Sequence, residues 1–94
     1  MQKILIHGSG HKADSWDKVI PYMNNDKDIL CPNLSTILNG KEASYDNLYS
    51  SFAEYCNKIE EKIDLCGLSL GGILALNYAF AEKMIVQILS LHII

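Results

Sequence analysis

Gly67-Leu68-Ser69-Leu70-Gly71-Gly72 stands between two stretches of different periodicity, and it limits the possible folds of this chain more than any other feature. Ile63 to Gly67 before it is a short apolar run of strand length. Leu70 to Glu82 after it is apolar nearly all round, with Gly71, Ala75 and Ala79 stacked on one face at helical spacing. A strand that turns into a helix through so few residues brings the two backbones almost into contact. The flanking positions must therefore be tiny, and Gly67 and Gly71 meet that demand. Ser69 between them is expected in a strained turn that lifts its hydroxyl away from the sheet. The start of the helix behind it supplies unpaired N–H groups and positive dipole, so the Leu70 N–H is expected to face an oxyanion formed when Ser69 attacks a carbonyl. The plainer reading is that the glycines only let a helix pack on a strand. The strand-turn-helix context favours the nucleophile.

The remaining chain alternates in the same manner. Lys3 to His7 reads as a buried strand that ends in Gly8-Ser9-Gly10. Trp16, Val19, Ile20 and Met23 recur at i, i+3, i+4 and i+7 behind Asp14 or Ser15, which predicts a short amphipathic helix bent at Pro21. Asp28 to Cys31 reads as a second strand stopped by Pro32, and Asn33 to Ala43 as a surface loop. Leu48, Phe52, Tyr55 or Cys56, Ile59 and Ile63 trace one helical stripe from about Ser44, and Met84 to Ile94 reads as a fourth strand. About four strands alternating with three helices predict an α/β fold, a parallel-sheet three-layer sandwich joined by right-handed crossovers. Ligands on such sheets sit at the carboxyl ends of the strands, where both glycine-rich segments fall.

Ninety-four residues make one small domain, and a 49% hydrophobic, 20% charged composition is too apolar for disorder. The formal charge is −3 with neither sign clustered, which argues against a nucleic-acid partner. Cys31, Cys56 and Cys66 have neither metal-ligand spacing nor an even count, so no metal, no cofactor and no disulfide framework is expected, and a cytoplasmic location fits. The N-terminal apolar run is too short for a signal peptide and Met84 to Ile94 too short to span a bilayer, so no membrane partner is expected.

His7-Gly8-Ser9-Gly10 supplies a second element of chemistry. An oxyanion hole on such a sheet needs another N–H from a loop beside the nucleophile, and Gly8 and Gly10 let that backbone come close, with Ser9 as the donor. His7 precedes the loop and reads as a structural histidine rather than a general base.

HGSG with a following Trp16, then CGLSLGG opening an Ala-rich helix, resembles the α/β-hydrolase superfamily of serine esterases, lipases and peptidases over roughly Lys3 to Tyr78. The resemblance implies a nucleophile at Ser69, oxyanion donors at Ser9 and Leu70, and a small-molecule ester or acyl substrate. It also implies the strand order second, first, third, fourth, with the first helix on one face and the other two opposite. Family members begin with two further strands, and their acid and histidine lie on later loops. On this reading residues 1–94 are a single partial domain, a truncated α/β-hydrolase fold. Its isolated form is expected to hydrolyse esters poorly and to self-associate through an exposed edge strand.

Within the chain, Glu82 and His92 follow Ser69 in the family's order. Glu82 is thirteen helical residues away, about 20 Å at 1.5 Å per residue. His92 would return toward the carboxyl edge on the fourth strand, but no carboxylate would orient it. Two other classes stay open. Gly8-Ser9-Gly10-His11-Lys12-Ala13 matches G-x-G-x-x-A, a dinucleotide fingerprint, without the acidic residue that should close the next strand. The chain is otherwise a non-catalytic remnant or interaction module that keeps the elbow and oxyanion loop.

Overall fold

A computed structural model describes residues 2–22 and 29–81. Among the described residues three strands form one parallel sheet: β1 (Gln2–Ile6), β2 (Ile29–Leu30) and β3 (Ile63–Gly67), in the order β2-β1-β3. This is the predicted order for the first three strands, and β3 has the predicted bounds. The β1–β3 register runs from Gln2 opposite Ile63 to Ile6 opposite Gly67. Both glycine-rich segments therefore leave the sheet at one edge.

Three helices follow the sheet's connections: α1 (Leu34–Leu38), α2 (Tyr45–Asn57) and α3 (Leu70–Ala81). The period-2 alternation of strands sends Ile4, Ile6, Ile63 and Leu65 to one face. There they form a single core with Leu34 of α1, Phe52 and Cys56 of α2, and Leu74, Ala75 and Tyr78 of α3. The second and third helices thus share a face, as expected. Phe52 and Tyr78 meet edge to face at 5.9 Å, and the Tyr78 hydroxyl donates to Asn57 Oδ1 at 2.6 Å, so the buried ring keeps a partner for its polar tip. Leu5 is fully buried outside this cluster, and on its alternate set Lys3 pairs with Asp64 at 3.5 Å, directly across the register.

α2 starts where the sequence signals it: Ser44 Oγ accepts the Asn47 N–H at 3.2 Å, satisfying one of the unpaired donors of the first turn.

Two expectations are corrected. The amphipathic helix expected around Trp16 is two 3₁₀ segments, Ala13–Trp16 and Ile20–Tyr22. Successive i to i+3 bonds, Asp17 to Asp14, Val19 to Trp16 and Tyr22 to Val19, hold this stretch. Pro21 has no N–H to extend an α-helix, and the stripe is not a buried face: Trp16 is buried but Val19 is exposed. The surface loop expected over Asn33–Ala43 contains α1. Leu34, Ile37 and Leu38 have i, i+3, i+4 spacing, Leu34 enters the core and Ile37 packs against it, and Asn39 (φ 54°) with Gly40 (φ 77°) end the helix in left-handed geometry. Met23, Asp28, Glu82 and the expected fourth strand with His92 lie outside the described residues.

Candidate active site

β3 passes into α3 through Leu68 and Ser69 alone. Ser69 has φ 55°, a left-handed conformation that a residue with a Cβ adopts at a cost of about 1–2 kcal/mol. Its surroundings hold it there. The Leu68 N–H donates to the Ile6 carbonyl at 3.0 Å, continuing the β1–β3 ladder one residue past the strand. Gly71 N–H then donates to Leu68 O at 3.0 Å and Ile73 N–H to Ser69 O at 3.1 Å, starting the helix. The chain turns so tightly that a Cβ on Gly71 would lie 2.2 Å from the Ile6 carbonyl oxygen, and one on Gly67 would lie 2.4 Å from the Gly71 carbonyl and the Gly72 nitrogen. Both glycines are required by contact with backbone, which has no way to retreat. Ser69 itself is exposed.

The loop after β1 lies against this turn. A Cβ on Gly8 would lie 3.1 Å from the Leu68 oxygen and 3.4 Å from the Ser69 Cβ, so the serine occupies the side where residue 8 has no side chain. Gly8 O accepts the His11 N–H at 3.2 Å, closing a turn whose third residue, Gly10, has φ 77°. Ser9 stands exposed at its tip. Among the described residues neither the Ser9 nor the Leu70 N–H has a hydrogen-bond partner.

His7 is buried, and both its ring nitrogens are engaged by backbone. The Leu34 N–H can only donate, so Nε2 accepts it at 3.0 Å, and Nδ1 carries the hydrogen given to Gly8 O at 2.8 Å. This neutral tautomer ties the loop to α1 and leaves no lone pair for a substrate. A second tie is made by Asn33, whose Oδ1 accepts the Ala13 N–H at 2.7 Å.

A cavity of about 220 Å³ opens over the loop, and it brings His7, Gly8, Ser9 and Gly10 together with Leu70. Ser69, Gly67 and Gly71 are not among its walls; the two glycines pack against backbone at the turn instead. Five of its walls were not assigned to the site by the sequence reading: Leu34, Ser35 and Leu38 of α1, Leu48 of α2, and His11. The spacing of Leu34, Ile37 and Leu38 was the signal for α1. A larger cavity of about 580 Å³, bounded by the 30–33 segment, α1 and α2, contains no residue of the serine turn or the glycine loop and is a separate feature.

The thiols are poor rivals to Ser69. Burial pushes Cys56 up to about 12. Cys66 is raised by burial and by nearby Asp64, only partly offset by Lys3, and Cys31 by burial and Asp17. All three are held as the unreactive protonated form. Among the described residues no group of three or more His, Cys, Asp or Glu could hold a metal ion, and no helix is long and apolar enough to cross a membrane.

Among curated proteins none matches this chain. Residues 4–91 match the model of the alpha/beta hydrolase family.

Proposed function

The chain belongs to the alpha/beta hydrolase family, and on that footing we propose that it is a serine hydrolase of carboxylic ester or related acyl bonds, with Ser69 as its nucleophile. The observation that supports this most is the left-handed backbone of Ser69, held between two glycines that no larger residue can replace. Strain of this kind persists only where the surroundings over-determine it, and here it sets a hydroxyl at the carboxyl edge of the sheet.

In this reading Ser69 Oγ attacks the acyl carbon, and the carbonyl π pair moves onto oxygen. The N–H groups of Leu70 and Ser9, unpartnered among the described residues, receive that oxyanion, aided by the positive end of α3. Collapse of the intermediate re-forms the carbonyl and breaks the bond to the alkoxide, which leaves as the alcohol with the proton given up by Ser69; water then cleaves the acyl-serine to the acid, returning a proton to Oγ. Leu34, Leu38, Leu48 and Leu70 make the cavity wall apolar, suited to a short hydrocarbon portion of the substrate.

Labelling by a fluorophosphonate tests the assignment. The adduct is expected on Ser69, located by mass spectrometry, and absent from Ser69→Ala. A folded protein that forms no adduct at Ser69 would refute the reading.

A further inference from the structure

The cavity of about 580 Å³ lies between two helical stripes. Asn33, Thr36 and Ile37 line it from α1 and its cap at i, i+3 and i+4. Ser51, Glu54, Tyr55 and Lys58 line it from α2 and its cap at i, i+3, i+4 and i+7. Its volume is that of a pocket for a small organic molecule, about 300–1,000 Å³.

The turn after α1 sets one positive charge in this wall. Asn39 and Gly40 reverse the chain in left-handed geometry, and the Lys41 N–H donates to Leu38 O at 3.2 Å. Lys41 Nζ then donates to Ser51 Oγ at 3.2 Å. Ser51 is buried, so the hydroxyl that holds this ammonium is fixed in the wall itself. Lys58 adds a second ammonium seven residues, about two turns, further along. Glu54 has the i, i+4 spacing to pair with Lys58, yet among the described residues neither lysine nor Glu54 belongs to an ion pair. Burial raises Tyr55 and Cys31, aided at Tyr55 by the thiols of Cys56 and Cys31 and at Cys31 by Asp17, so both stay protonated and uncharged at neutral pH. The walls carry two positive charges and one negative, a surplus of one in a chain whose formal charge is −3.

The remaining wall defines the other half of a ligand. Leu30, Pro32 and Ile37 are apolar, with the half-buried Tyr55 ring in the same cavity. The hydroxyls of Tyr55 and Thr36, without partners among the described residues, are donors for an acceptor oxygen. A phosphate group, with a charge of about −1.5 to −2, exceeds the surplus and leaves the apolar wall bare.

We infer that this cavity is a ligand site for a small organic monocarboxylate with an apolar tail, its carboxylate taken by Lys41 and Lys58 and its tail lying on Leu30, Pro32 and Ile37. The site is independent of the serine turn, none of whose residues lines it. A ligand held between α1 and α2 binds only the folded chain and so raises its melting temperature.

Octanoate is the probe, added to the whole chain and followed by calorimetry and thermal melting, with octylammonium and inorganic phosphate for comparison. Octanoate is expected to bind and to raise the melting temperature, and the other two to bind at least roughly tenfold more weakly. Lys41→Gln and Lys58→Gln, each checked for folding by circular dichroism, are each expected to weaken octanoate roughly threefold, the scale of an ion pair near solvent. Glutamine at 41 keeps a donor for Ser51. Lys62→Gln removes the same charge just before β3, at the opposite end of the strands, and is expected to change nothing. An equal loss in Lys62→Gln would reduce the effect to net charge and overturn the site. Unaltered binding in both cavity variants would overturn it too. Octylammonium or phosphate binding as tightly as octanoate would overturn the ligand class, and a folded wild type that takes no octanoate would overturn the inference outright. None of these outcomes bears on Ser69, whose labelling is read separately.

Discussion

The backbone N–H of Leu34 donates to Nε2 of His7 at 3.0 Å, a buried bond between residues 27 apart that joins the end of β1 to the start of α1. It makes a histidine beside the site into a structural clamp and fixes which nitrogen carries its hydrogen.

His7→Ala is therefore expected to destabilise the fold rather than to alter a catalytic step. It leaves the Leu34 N–H buried without an acceptor, which costs about 1–3 kcal/mol. Urea denaturation would measure the loss. Unchanged stability in His7→Ala would show that the clamp contributes nothing.

Gly71 and Gly40 are expected to respond very differently to alanine. A Cβ at Gly71 would enter the Ile6 carbonyl at 2.2 Å, whereas nothing lies within 4 Å of one at Gly40. Gly71→Ala should cost more than about 4 kcal/mol, a large part of the stability of a small domain, and abolish folding. Gly40→Ala carries only its left-handed φ of 77°, about 1 kcal/mol. Thermal melts of the two variants would separate contact from conformational strain.

The φ of 55° at Ser69 predicts an order of stability among its variants. Alanine keeps the strain and glycine relieves it, so Ser69→Gly should be more stable than Ser69→Ala by about 1 kcal/mol, read from denaturation midpoints. Both should fail to label. An alanine variant as stable as the glycine one would mean that the turn relaxes once the hydroxyl is gone.

Cys56 predicts a loss of stability in alkali. Its thiol is raised by burial from an ordinary 9.0 to about 12, so above 9.0 the unfolded chain releases a proton that the folded chain retains. The stabilising difference is fully present below 9.0 and declines as pH rises toward about 12. Cys31, Cys66 and Tyr55 are raised as well and act in the same direction. Cys56→Ala should flatten the decline in unfolding free energy over this window, and an unaltered slope would assign it to the other groups.

The bounds of β3 and the serine turn were legible in the sequence because each rests on a local demand, whereas the order of the three strands came from the family resemblance. Backbone contact at Gly67 and Gly71 admits only glycine, and a five-residue run, apolar but for Asp64, that ends at the serine turn is short enough to be a strand. α1 was missed because its polar neighbours, Asn33, Asn39 and Gly40, have the composition of a loop, while the burial of Leu34 is decided by α2 and the sheet. The 3₁₀ segments were missed for the converse reason: Trp16 to Met23 has helical spacing, but Val19 stands exposed instead of facing the core. His7 was read as structural, and both its ring nitrogens meet backbone, though its partner Leu34 lay in the segment taken for a loop.

The closeness of Gly71 to the Ile6 carbonyl pins one part of the site, while the glycine loop has no such backbone clamp. With no gap between β1 and the first turn of α3, the serine cannot swing toward a ligand without breaking the sheet edge with it. Adjustment to molecules of different shape falls to residues 8–12, whose turn is closed by a single backbone bond. With Ser69 as the proposed nucleophile, selectivity becomes a property of the glycine loop, and substitutions that lengthen or stiffen it should change which acyl compounds are accepted while residue 69 stays where it is.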